Sequence, residues 1–199
     1  MTQLILASQS PRRKALLQKL GIPFEIQPST INEYSLTTDP TNLVKELSLA
    51  KAKDVAMNCS DAIVIGADTI VVHNNDILGK PTNEQEAAQI LARLSGNHHQ
   101  VYTGVCLQYV DRQGALQEPV LFHELTKVWF QALSTYPIHN YVSSGLPMDK
   151  AGAYGIQDKW GAIFVKKIKG DFYNIVGLPL SRCYLELSSL KERYKLKLQ

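Results

Sequence analysis

The run Ala62-Ile63-Val64-Ile65-Gly66-Ala67-Asp68-Thr69-Ile70-Val71-Val72 constrains the fold more than any other segment of the chain. Its odd and even positions are both apolar, so as a strand it offers hydrophobic side chains to both faces. That suits a central strand covered by helices on either side. Leu4-Ile5-Leu6-Ala7 reads as a second buried strand. Ser10 follows as an N-cap with Pro11 at the first helical position, Leu16, Leu17 and Leu20 form the apolar stripe, and Gly21 ends the helix.

Asp39-Pro40 repeats this start signal for a second helix reaching about Asn58, with Leu43, Leu47 and Ala50 as its buried face. Lys51 lies four residues after Leu47 and four before Val55, on or beside that inward face. Asn74-Asn75 turns the central strand into a short return strand ending at Gly79-Lys80-Pro81. Thr82 is placed to cap a third helix, with Gln85 completing a capping box and Ala87, Ile90, Leu91 and Leu94 inward. Two β-rich stretches between Gln100 and Phe130 flank Asp111-Arg112-Gln113-Gly114 as a hairpin. A short helix is expected over Ser134 to Ser144, strands over Gly161 to Lys169 and Tyr173 to Gly177, and a final helix from Ser181. This order of elements indicates α/β with a mixed sheet.

At 199 residues, 45% hydrophobic and 20% charged, the chain can bury a real core, and it is read as one domain over residues 1–199. A formal charge of +3 is too small to argue for a nucleic-acid partner but allows a local cationic pocket. Cys59, Cys106 and Cys183 are widely spaced with no CxxC pair, which suggests reduced thiols. The N-terminal apolar run is too short for a signal peptide and no stretch approaches a membrane span, so a soluble cytoplasmic protein is expected.

Chemistry concentrates in a few places. Ser8-Gln9-Ser10-Pro11-Arg12-Arg13-Lys14 joins a strand end to a helix start, where free N–H groups and the positive end of the helix dipole coincide. Three cations in that first turn oppose the dipole and call for compensation. A polyphosphate would supply it, with a solvated basic turn as the alternative. Asp68 stands in the middle of a buried run, where a lone carboxylate is costly unless it holds a metal, meets a cation or takes a proton. It could instead cap a turn or pair with Lys80. Lys51 facing inward needs an anion for the same reason.

Glu33, in a polar connection, would by itself simply face water. Lys80, stiffened between Gly79 and Pro81, is a candidate phosphate ligand. In Asp149-Lys150-Ala151-Gly152-Ala153-Tyr154-Gly155-Ile156-Gln157 the small residues allow close backbone approach to a ligand or simply a tight packing turn. Gln157 presents a donor and acceptors suited to a base edge. Walker A, GxGxxG and GxSxG patterns are absent. The outliers together fit metal-assisted hydrolysis of a nucleotide phosphoanhydride.

LILASQSPRRKALL, AIVIGADTIV, LGKP, ARLSG, MDKAGAYGIQ and VGLPL resemble, in order and spacing, the Maf family of nucleoside triphosphate pyrophosphatases, to about Ser188. The resemblance implies an elongated mixed β-sheet flanked by helices, two lobes around a cleft, as in the related inosine triphosphate pyrophosphatases. It implies cleavage of a nucleoside triphosphate to the monophosphate and pyrophosphate with Mg²⁺ or Mn²⁺, a homodimer, and a link to septum formation. By the same resemblance Asp68 activates water, and Glu33 joins it in holding the metal. Arg12, Arg13, Lys51 and Lys80 bind phosphates, and Ser8 and Ser10 add hydroxyl and backbone contacts. Thr69, Gln157 and Arg12 match the branch acting on dTTP and UTP rather than the one acting on 7-methyl-GTP. Asp158-Lys159-Trp160 departs from the small residues usual after the glutamine. A division regulator acting by protein binding, and the same chemistry on another base, are the competing readings.

Overall fold

The computed structural model describes residues 1–198. The apolar run forms β3, Ala62–His73, and every residue of it except Thr69 is buried. β1, Gln3–Leu6, lies parallel to it, with Gln3 opposite Ala62 and Leu6 opposite Ile65. The short β2, Glu25–Ile26, runs parallel to β1. Asn74 and Asn75 turn the chain at φ 50° and 67°, the positive values that tight hairpin turns demand, and β4, Asp76–Leu78, returns antiparallel to β3. β5, His98–Val110, and β6, Val120–Phe130, flank the expected Asp111–Gly114 turn. β7, Val165–Lys169, is antiparallel to β6. The result is a 7-stranded mixed sheet in the order β2-β1-β3-β5-β6-β7, with β4 on β3.

Helix α1, Pro11–Gln18, is capped by Ser10, whose Oγ accepts from Arg13 N at 3.4 Å. Helix α2, Pro40–Ala56, is capped by Asp39 through Asn42 N at 2.8 Å. Its inward face carries Val44, Leu47, Ser48, Lys51, Ala52 and Val55, whereas Leu43 and Ala50, expected inside, are half-buried. The reason lies in the sheet. A Cβ on Gly66 would stand 2.2 Å from Ser48 O, and one on Gly104 would stand 2.1 Å from Val44 O. The helix backbone therefore rests on two glycines, and small residues rather than the leucine stripe meet the sheet there.

Helix α3, Glu84–Leu94, buries Ala87, Ile90, Leu91 and Leu94 as expected. Its cap is Asn83 rather than Thr82. Asn83 Oδ1 accepts from Glu86 N at 2.9 Å, and the Glu86 carboxylate, not Gln85, reaches back to Thr82 N at 2.7 Å. Asparagine is at least as good a cap as threonine, and Glu86 then occupies the third helical position. Helix α4, Thr135–Ser143, is followed by Gly145 at φ 71° and by short 3₁₀ turns at Leu146–Asp149 and Ala151–Ala153.

Of the two strands expected here, one is shortened to Val165–Lys169 and the other is replaced by a helix. Lys159–Phe164 forms α5 before β7 begins, its first turn closed by Ala162 N donating to Asp158 O at 2.9 Å, and its Gly161 sits where a Cβ would stand 2.0 Å from Gly155 O. Phe172–Val176 is α6, not a strand. Asp171 Oδ1 starts it by accepting from Tyr173 N at 2.8 Å, and buried Asn174 anchors it to Val101 O at 3.0 Å and Thr126 Oγ1 at 2.9 Å. These polar anchors override the β preference of its aromatic and branched residues. Helix α7, Leu180–Tyr194, ends the fold.

The chain packs as two compact units. The first comprises Met1–Asp68, Thr103–Glu124 and the chain from Gly177 onward, with a core that includes Ile5, Ala52, Val55, Val64, Cys106 and Val110. The second comprises Thr69–Tyr102 and Leu125–Val176, and holds an aromatic core of His99, Phe130, Tyr154 and Phe164.

Candidate active site

In the first unit the close seat of α2 on Gly66 delivers Lys51 to Asp68, in the middle of the apolar run. Lys51 Nζ lies 2.6 Å from Asp68 Oδ1 and 2.8 Å from Glu33 Oε1. Lys51 and Asp68 are both buried, while Glu33 reaches in from an exposed loop. Asp68, costly alone in a buried strand, is thus paired with the inward lysine of α2, and Glu33 joins them rather than merely facing water. The same helix secures the loop that carries Glu33. One turn beyond Lys51, Asp54 Oδ2 accepts from Thr30 N at 2.8 Å and Ser29 Oγ at 2.9 Å. Those bonds, the backbone one first, hold the Asp54 carboxyl below its ordinary pKa.

The basic turn after β1 is built around Arg13. Its Nε donates to Gly177 O at 2.8 Å and its Nη1 to Ser8 Oγ at 3.3 Å. Burial lowers the guanidinium pKa, and the charges of Asp68 and Glu33 oppose that shift, so Arg13 stands within the field of both carboxylates. Ser8 is buried and accepts from Ser10 N at 3.2 Å, while Ser10 caps α1. Both hydroxyls therefore shape the turn that aims Arg13. Arg12 is its neighbour in the first turn of α1, half-buried.

Thr69 follows Asp68 directly in β3 and opens the second unit. Lys80 and Gln157 belong to that unit and are exposed. Their loops are linked, because Gly152 N donates to Gly79 O at 3.0 Å. A Cβ on Gly152, which sits at φ 70°, would meet Val71 Cγ2 at 2.9 Å, so the small-residue segment lies close against β3. The structure thus forms two contact sets in one unit, Ser8 with Ser10 and Arg13, and Glu33 with Lys51 and Asp68, related through the field of the carboxylates on Arg13, and it seats Lys80 and Gln157 on linked loops of the other.

Glu33 and Asp68 suit a hard divalent cation, since their oxygens converge on one positive centre, the Lys51 ammonium. Mg²⁺ and Mn²⁺ accept one or two carboxylates and take their other ligands from phosphates and water. No group of three or more His, Cys, Asp or Glu side chains with metal-holding geometry occurs among the described residues, so a dedicated protein cage is not offered.

Sequence reasoning passed over three residues that the structure makes important. Gly177, inside VGLPL, anchors Arg13; Asp54 anchors the Glu33 loop; Tyr141 organises the loop of Gln157. Only the first carried a signal, its place in a motif.

A mixed sheet flanked by helices, with this charged cluster in the middle of its central strand, defines the class of protein. The Maf-like protein family matches residues 3–190, and the chain belongs to that family. Its relatives include dTTP/UTP pyrophosphatases of Bacillus cereus (strain AH820), Bacillus thuringiensis subsp. konkukian (strain 97-27) and Bacillus anthracis. Each is 50% identical over 188 residues, which is 94% of this chain and 95% of the relative.

Proposed function

We propose that this protein hydrolyses dTTP and UTP, and modified pyrimidine nucleotides of the same shape, to the monophosphate and pyrophosphate. The observation that carries this reading is the buried Lys51–Asp68 pair, joined by Glu33 from its exposed loop and beside Arg13, in a chain half identical to enzymes named for that activity. Water attacks the α-phosphorus, the bond to the bridging oxygen breaks, and pyrophosphate leaves. Lys51 engages Asp68 Oδ1, so Oδ2 is assigned to orient the water and take its proton. Arg12, Arg13, Lys51 and Lys80 bind the phosphate oxygens, where fixed cations stabilise the charge that develops. Ser8 and Ser10 keep Arg13 aimed. Glu33 and Asp68 would hold a divalent cation, Mg²⁺ or Mn²⁺, whose charge draws electrons from the phosphate oxygens. Thr69 and Gln157, with Arg12, select the pyrimidine.

The working form under this reading is a cytoplasmic homodimer, as the family resemblance implies. No described helix is long and apolar enough to cross a membrane. The test is pyrophosphate release from a panel of nucleoside triphosphates with Mg²⁺ or Mn²⁺, beside Asp68→Asn. Preference for dTTP and UTP is expected, with a loss beyond about a hundredfold in the variant. A folded, metal-loaded protein that cleaves none of them overturns the assignment.

A further inference from the structure

Gln157 is exposed, so the direction of its amide depends on the backbone on either side of it. Both sides end on one hydroxyl. Gly155 N donates to the Tyr141 oxygen at 3.0 Å, and that hydroxyl donates to Asp158 Oδ2 at 2.5 Å. Asp158 N closes the turn by donating to Gly155 O at 3.0 Å. Tyr141 comes from α4, is wholly buried, and packs edge-on against Phe164 with ring centroids 5.5 Å apart. Its hydroxyl is therefore placed by the core and not by the loop it holds. Buried Lys150 supports the other end. Its Nζ lies 3.4 Å from Asp158 Oδ2 and also donates to Asp149 Oδ1 at 2.7 Å and to Leu146 O. A Cβ on Gly155 would stand 2.7 Å from Asp158 Oδ2, so the glycine is what allows the carboxylate to come in. Asp158, which stands where the resemblance has small residues, is the partner that accepts from the tyrosine.

We propose that Tyr141 is the positioning residue for base selection: its hydroxyl, clamped between Gly155 N–H and the Asp158 carboxylate, fixes the turn that presents Gln157 to the pyrimidine edge. The inference rests on Gln157 reading the base, and the experiment separates the two. Tyr141→Phe removes only the hydroxyl, leaving the ring in the core. Steady-state kinetics on dTTP, UTP, dCTP and dGTP should show KM for dTTP raised about tenfold, kcat within about threefold, and the preference among bases flattened. Asp158→Ala should reproduce this, and the double variant should be no worse than either single one, because both remove one link. Asp158→Asn, which still accepts from the phenol, should recover most of the preference. Thermal melting establishes that each variant is folded. If Gln157→Ala flattens the preference while Tyr141→Phe keeps wild-type KM and ranking, the positioning role is overturned. A parallel fall in kcat with ranking unchanged overturns it as well, since that is the mark of general loosening. If Gln157→Ala itself ranks bases as the wild type does, the base-reading assignment falls and takes the inference with it.

Discussion

Lys51 answers two needs at once: the cost of a cation turned inward from α2 and the cost of a carboxylate in the middle of β3. Its ammonium is 2.6 Å from Asp68 and 2.8 Å from Glu33, and neither buried member can lose its partner without leaving an uncompensated charge. Lys51→Met keeps much of the side-chain volume and removes the charge. It should destabilise the protein by about 3 kcal/mol in urea unfolding, the scale for one broken buried pair. Lys51→Met combined with Asp68→Asn should be more stable than Lys51→Met alone, because the stranded carboxylate has gone. If the double variant unfolds at the same urea concentration as the single one, the pair is not what holds these residues. Both residues stood out in the sequence by their cost, Asp68 within an apolar run and Lys51 by its spacing from Leu47 and Val55. That they are each other's partner could not be read there, because nothing local links positions on separate elements.

Helix α2 is the element that assembles the Glu33–Lys51–Asp68 cluster. Ser48, Lys51 and Ala52 share one stretch of it, and the backbone there contacts β3 only because Gly66 has no side chain. Gly66→Ala would set a Cβ 2.2 Å from Ser48 O and 2.7 Å from Ala52 N, both backbone atoms that no rotamer change can move. The helix must retreat, carrying Lys51 away from Asp68. A loss of about 1–3 kcal/mol in stability is expected, as for other overpacked cores, with a fall in turnover larger than the melting shift alone explains. Full activity in Gly66→Ala would show that the close seat is not needed to place Lys51. The existence of α2 and its Asp39-Pro40 start were legible from capping chemistry, but its contact face was not. Hydrophobicity pointed to Leu43, Leu47 and Ala50, while the helix is seated where the sheet is bare. Phe172–Val176 misled for a related reason, since Asp171 and the buried anchors of Asn174 decide its helical state and Tyr-Asn-Ile-Val does not reveal them.

For the whole molecule, the class of fold was legible because β3 is apolar on both faces and the strand and helix signals around it are strong. The order β2-β1-β3-β5-β6-β7 was not, because strand pairing is a long-range choice that local pattern does not encode, and where the chain divides into its two units was not legible either. The environment of adjacent His98 and His99 belongs to the same illegible set, because only the fold shows which of the two is buried. His98 is exposed and stacks on Trp129, whereas His99 lies in the aromatic core with Nε2 2.8 Å from the Tyr154 hydroxyl. Burial, then the neighbouring His73 and His98, push the His99 pKa down to about 3. The folded protein therefore keeps His99 neutral in acid, while the unfolded chain protonates it near about pH 6.5. Stability from this residue is complete above the unfolded pKa and is lost as pH falls toward the folded one, at about 1.4 kcal/mol per pH unit. Urea unfolding at about pH 7.5 and about pH 4.5 should thus show some 2.5 kcal/mol of acid loss from His99 alone, roughly two pH units of the linkage. His99→Gln offers Tyr154 an amide without a titrating group, so its acid loss should be smaller by that amount, the carboxylate contributions being common to both proteins. Identical acid losses in the two would mean that His99 takes up its proton without unfolding, and that the aromatic core admits a charge its packing argues against.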